Sequence, residues 1–220
     1  MESYFILIPS FVYWCIDEKK GMGLSAAVLL SIWIVFFLEY YKVLLPFGFV
    51  LSLIIASVIF LVYFLFAKKI EPLFAKGGFR AGMIISAVVS FLMIMRLPND
   101  KFLVPGGILL GVGAGYCLNW RYIGFKSRLL TESASASAQG IIVKCLVMLV
   151  RFLLGSTGFM LILAATGRLI PQDSGNINLY NFIRYALSGL WVSAASPWIF
   201  IRLRLAGKSI TGDAGPEERE

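Results

Sequence analysis

Seven charged residues lie inside or at the ends of long apolar stretches: Glu39, Lys42, Arg96, Lys101, Arg151, Arg168 and Arg184. A charge among apolar residues is costly and usually marks function. Glu39 and Lys42 are three residues apart, a spacing that pairs them on one helix face. Lys42, Arg96, Lys101, Arg168 and Arg184 fall near predicted helix ends on one side. If those ends converge, they form a cationic rim suited to lipid phosphate, because arginine meets phosphate oxygens in a bidentate fork. The alternative is that each cation snorkels separately to the interface. Arg151 sits several residues into its stretch, at roughly 10 Å depth for 1.5 Å per residue. It either snorkels or turns toward neighbouring helices.

Other chemistries find no residues to carry them. The 220 residues contain no histidine, so Ser135, Ser137 and Ser196 lack an imidazole base, and no Ser–Lys pairing is indicated. Cys15, Cys117 and Cys145 form no CxxC pair and read as thiols of membrane helices. No cluster of cysteine and carboxylate replaces histidine as a metal site, and no cofactor is implied. Catalytic residues are therefore not assigned. Gly107, Gly111 and Gly115 recur at every fourth position of FLVPGGILLGVGAGYCLNW. That makes a small-residue stripe for close helix packing. It lacks the GxGxxG spacing and the preceding strand of a dinucleotide site.

The elements that must position these residues are membrane helices. Hydrophobic residues make up 59% of the chain, against about 45–50% in a soluble domain, and they come in blocks near the roughly 20 residues a span needs. Seven stretches qualify: 3–16, 22–41, 44–67, 80–96, 102–119, 142–166 and 179–203. The first is short for a full crossing. It resembles a signal peptide in length, but it carries Glu2, no preceding cation and no cleavage site, and is expected to be retained. The fold class is all-α, a polytopic transmembrane helical bundle of about six to seven spans over 1–206, with a polar, disordered tail over 207–220. Residues 129–140 read as a small-residue linker and 167–178 as a turn-rich loop.

The net charge is +8. With the N-terminus outside, Lys19, Lys20, Lys68, Lys69, Lys76, Arg80, Arg121, Lys126, Arg128, Lys144, Arg202, Arg204 and Lys208 lie inside. Only Lys42, Arg96, Lys101 and Arg168 lie outside. The bias predicts seven spans with the C-terminus in the cytoplasm. It points to anionic or phosphate-bearing lipids as partners, and not to nucleic acid. Tyr40, Tyr41, Trp120, Tyr122 and Tyr180 suit an interfacial belt.

The opening IPSFVYWCIDEKKGMGLSAAVLLSIWIVFFLEYYK resembles the start of bacterial type-2 phosphatidic-acid phosphatases. That family often shows a Tyr-Trp, an Asp-x-Lys-x-Gly turn, an apolar helix and then a motif lysine. RLPNDKFLVPGGILLGVGAGYCLNWRYIGF and NFIRYALSGLWVSAASPWIF resemble its C-terminal helices. The resemblance covers about 3–42 and 55–205. The family's chemistry uses Lys-x6-Arg-Pro, Pro-Ser-Gly-His and Ser-Arg-x5-His, with one histidine attacking phosphorus and another protonating the leaving group. Lys42 matches the first lysine by position. The chain then continues VLLPFGFV without the motif arginine, Pro46-Phe47-Gly48-Phe49 only echoes the second motif, and the third is missing. FLVYFLFAKKIEPLFAKGGF resembles the family's segment after the last motif, as though the catalytic middle were deleted.

The resemblance implies a non-catalytic protein of the bacterial inner membrane, a lipid-phosphate binder or a structural subunit of a membrane complex. A transporter or flippase for lipid phosphates, using the outer rim and Arg151, is the alternative. A lipid phosphatase with altered chemistry is the third reading.

Overall fold

The computed structural model describes residues 7–40, 54, 57, 58, 61, 62, 65, 79–95, 100–127, 138–169 and 177–208. The chain begins with α1, Leu7–Phe11, which widens into a π-helical turn over Val12–Ile16. Asp17 then caps α2, Glu18–Tyr40. Its Oδ1 accepts the Lys20 N–H at 3.0 Å, satisfying a donor that the first helical turn leaves open. This cap starts the helix four residues before the apolar run expected from 22. Gly21 is where α2 crosses the first turn, since a Cβ there would overlap the Tyr13 backbone.

The next described helix is α3, Phe79–Met95. It is followed by α4, Asp100–Leu118, and a second π turn, Asn119–Ile123, closed by Gly124 at φ 66°. Glycine enters that left-handed conformation without a Cβ penalty. The chain continues through β1, Phe125–Lys126. Then come α5, Ala138–Leu169, and α6, Ile177–Leu190. A third π turn over Trp191–Ala195 leads into α7, Ser196–Arg202. Finally β2, Gly207–Lys208, pairs antiparallel with β1, Phe125 opposite Lys208.

The all-α expectation holds for the described residues apart from this two-residue ladder. Three further details differ from the sequence reading. The stretch 179–203, read as one helix, is interrupted at Trp191–Ala195. The helix expected over 142–166 runs from Ala138 to Leu169 and takes in the end of the proposed linker. Gly207 and Lys208, assigned to a disordered tail, form β2.

The small-residue stripe sets the packing. α4 makes its most extensive contact with α6, and the two run in the same direction. A Cβ added at Gly107 would lie 2.7 Å from the Phe182 carbonyl oxygen, and one at Gly111 would lie 2.7 Å from the Leu190 nitrogen. Gly189 approaches from the other side, 2.5 Å from the Ile108 carbonyl oxygen by the same measure. Backbone meets backbone along this seam, as small residues permit in membranes. α3 runs antiparallel to α4, with Ser90 Oγ donating to the Gly106 carbonyl at 2.6 Å. α5 runs antiparallel to α6 and α7, with Gly158 under the Trp191 ring and Gly167 under the Arg184 guanidinium.

The outer surface is apolar. Along α5 only one stripe, Arg151, Gly155, Phe159 and Leu163, faces inward, while Ile142, Leu146, Leu149, Leu153 and Leu161 are exposed. On α3, Ile84, Val88, Phe91 and Leu92 are exposed as well. So broad an apolar surface is what lipid covers. Among the described residues, two helices are long and apolar enough to cross a bilayer, Leu103–Ile123 and Ile141–Arg168. Leu7–Ile16, Lys20–Ile34 and Phe79–Met95 are shorter apolar helices. Most of the expected span 44–67 lies outside the described residues.

Candidate functional site

Pro197 explains the most heavily connected part of the molecule. Proline has no backbone N–H, so it leaves the carbonyls four and five residues before it without their helical partner. These are Ser193 and Val192, in the π turn. Two aromatic side chains from the N-terminal π turn supply the missing donors. The Tyr13 hydroxyl donates to the Ser193 carbonyl at 3.1 Å, and Trp14 Nε1 donates to the Val192 carbonyl at 2.9 Å. The second π turn joins through Asn119, whose amide donates to the Tyr13 hydroxyl at 2.6 Å. Asn119 Oδ1 in turn accepts the Phe125 N–H at 3.0 Å. The three widened turns are therefore tied into one buried node. Trp14 and Phe200 close it with an edge-on contact at 6.0 Å.

Arg151 completes the node. Its side chain is fully buried and faces three separate segments. Nη1 donates to the Trp14 carbonyl at 2.9 Å and to the Ser127 carbonyl at 2.8 Å. Nε donates to the Leu205 carbonyl at 2.9 Å, and Nη2 donates to the same oxygen. Ser127 is itself held by Glu18. Its hydroxyl donates to Glu18 Oε2 at 2.8 Å and its N–H at 3.1 Å. The described partners of Arg151 are thus backbone carbonyls, not an anion. A guanidinium engaged in this way clamps the chain and has little left to offer a passing phosphate. The structure turns Arg151 inward to neighbouring segments and opposes its snorkelling to the interface.

The other predicted site residues divide. Lys42 and Arg96 lie outside the described residues. Glu39 is on α2 and Lys101 is on the first turn of α4, but their side chains are not among those described. Arg168 is exposed at the end of α5. Arg184 is half-buried on α6, its ring partner being Tyr185 at 5.7 Å. Its guanidinium lies directly over Gly167, where an added Cβ would sit 3.1 Å from Nη2. Arg168 follows Gly167 in the chain and is exposed, so of the described rim cations it is Arg184 that packs over the end of α5. Nε of Arg184 is buried with no hydrogen-bond partner.

Among the other sequence candidates, Ser196 is buried and donates to the Trp191 and Val192 carbonyls at 3.0 and 3.1 Å. Ser135 and Ser137 lie outside the described residues. Cys15, Cys117 and Cys145 are free thiols. No group of metal-ligating side chains occurs among the described residues.

Residues 103–208 match the model of a family described as PAP2 superfamily phosphatase, transmembrane extension. The match runs from α4 to β2. It includes the glycine stripe, Asn119, Arg151 and Arg184, and leaves out the N-terminal block and Lys42. No curated protein and no solved structure matches the chain. The chain resembles PAP2 lipid phosphatases over this region, which marks a membrane protein related to that group.

Proposed function

We propose, from this likeness to lipid phosphatases, that the chain is a non-catalytic integral membrane protein that binds a phosphate-bearing lipid beside Arg184. The observation that carries the reading is the half-buried Arg184 guanidinium over Gly167, with Nε lacking a hydrogen-bond partner and a second arginine next in the chain. A buried donor without an acceptor is destabilising by about 1–3 kcal/mol. A lipid phosphate at the helix ends supplies the missing acceptor, and the exposed Arg168, next after Gly167, adds positive charge at the end of α5. The family chemistry has no counterpart, because a phospho-histidine needs an imidazole and the chain has none. In this reading the bundle has six to seven spans and the Arg184 end faces outward from a bacterial inner membrane, with the C-terminus in the cytoplasm. The cation bias of the loops supports that orientation.

Arg184→Gln tests the site. Phosphatidic acid bound to the purified chain in detergent is expected to weaken about tenfold or more, because a charge-assisted hydrogen bond contributes about 1.5–3 kcal/mol. The melting temperature should stay near the wild-type value. Unchanged phosphatidic acid binding, read by lipid mass spectrometry, would remove Arg184 from the proposal.

The uncovered face of α5 favours a second reading, that of a structural subunit. Most of the apolar side chains along Ile141–Arg168 are exposed or half-buried, leaving room for a partner helix as well as for lipid. A partner retained through gentle detergent extraction, and lost on Leu149→Trp, would support it.

A further inference from the structure

The opposite end of the bundle carries a second charged surface, independent of the Arg184 proposal. α5 rises roughly 24 Å between Arg151 and Gly167 at 1.5 Å per residue, so the two ends are far apart. At the Arg151 end, α7 closes in a Schellman turn. The Leu205 N–H donates to the Phe200 carbonyl at 2.8 Å and the Arg204 N–H to the Ile201 carbonyl at 3.0 Å. The left-handed position of that turn usually belongs to glycine. Here it is Arg204 at φ 56°, the one non-glycine residue with positive φ among those described. A Cβ is unfavourable in this conformation, and the Arg204 side chain is exposed with no described partner. The turn is thus less stable with arginine than it would be with glycine, which points to a use for the side chain outside the fold.

Its surroundings indicate the use. Arg202 stacks on Trp198 at 4.9 Å, and Arg121 lies over Phe79 and Tyr122 at 5.7 and 5.6 Å. Lys20, Arg80 and Lys126 are exposed at the same end. Among the described residues, the carboxylates of this end are turned to the protein: Asp17 caps α2 and Glu18 holds Ser127. Trp120, Tyr122 and Trp198 are 56%, 65% and 49% exposed. Cations interleaved with exposed aromatic rings, at the end of apolar helices, match the headgroup layer of a bilayer better than the surface of an acidic protein. We infer that this end binds anionic phospholipid headgroups, with Arg204 set in its strained turn to reach a phosphate.

The full chain is reconstituted in phosphatidylcholine vesicles containing phosphatidylglycerol, and the phosphatidylglycerol enrichment of its lipid shell is measured by spin-label partitioning. Wild type is expected to show enrichment that falls at high salt. R204G is expected to melt at or above the wild-type temperature while losing up to roughly five-fold in affinity for the anionic lipid, the weight of one cation at such a surface. Arg202→Gln should lower the enrichment again. Wild-type enrichment in both variants, or enrichment indifferent to salt, overturns the inference. A lower melting temperature for R204G also overturns it, because the arginine would then serve the turn. Capture of an acidic protein while the lipid shell stays unenriched overturns it too. Arg184→Gln should leave the R204G difference intact, so the two proposals fail separately.

Discussion

Arg151→Met is expected to destabilise the protein by about 3 kcal/mol or more, because it takes the donor from three backbone carbonyls at once. The orphaned carbonyls set the size of the loss. Trp14, Ser127 and Leu205 each lose their guanidinium donor, and each buried orphan acceptor is destabilising by about 1–3 kcal/mol. Relief from holding a charge away from water offsets part of that sum. Methionine keeps most of the volume, so the loss reports the hydrogen bonds and not a cavity. Arg151→Lys should recover less than half, because a compact ammonium does not reproduce the planar fork that spans three segments. Thermal unfolding in detergent reads both. A Met variant that melts with wild type would show that the N-terminal turn, β1 and the end of α7 hold together without the clamp.

Gly111→Val is expected to weaken the protein by about 2–3 kcal/mol, at the upper part of the range for overpacking a core. A Cβ at this position overlaps the Ala186 carbonyl oxygen and lies 2.7 Å from the Leu190 nitrogen. Both obstacles are backbone, so neither can rotate away, and α4 must separate from α6. Gly106→Ala is the matched control on the same helix. Its nearest obstacle is a side-chain carbon of Ile94 at 3.3 Å, which can yield, so its melting temperature should stay close to wild type. Helix propensity favours both replacements over glycine, so equal losses at the two positions would mean that the α4–α6 seam is not what makes Gly111 sensitive.

These residues also show how much is legible in the sequence. The period-four spacing of Gly107, Gly111 and Gly115 is a one-dimensional signal, and each of the three faces α6 or the turn after it. Arg151 is visible as a charge deep in an apolar stretch. Its partners are not, because they are backbone carbonyls of Trp14, Ser127 and Leu205, far away in the chain and without any side-chain signature. The π turns are hidden for a related reason. Apolar periodicity over 179–203 is that of one helix, and a single added residue per turn barely disturbs it. Pro197 is the available clue, since a proline that far into a helix frees carbonyls that something must satisfy. Tyr13 and Trp14 do so from the other end of the chain. For the cationic rim, spacing places Arg168 and Arg184 on the same predicted side. That Arg184 lies over Gly167 depends on how α5 and α6 dock, which no local pattern records.

Whether the chain keeps a lipid-phosphatase-like frame without its reaction centre is decided by one assay, phosphate release from phosphatidic acid by the purified chain in nanodiscs. No release above protein-free nanodiscs is expected, together with phosphatidic acid retention that Arg184→Gln weakens. Phosphate release that Lys42→Ala abolishes would overturn the non-catalytic reading.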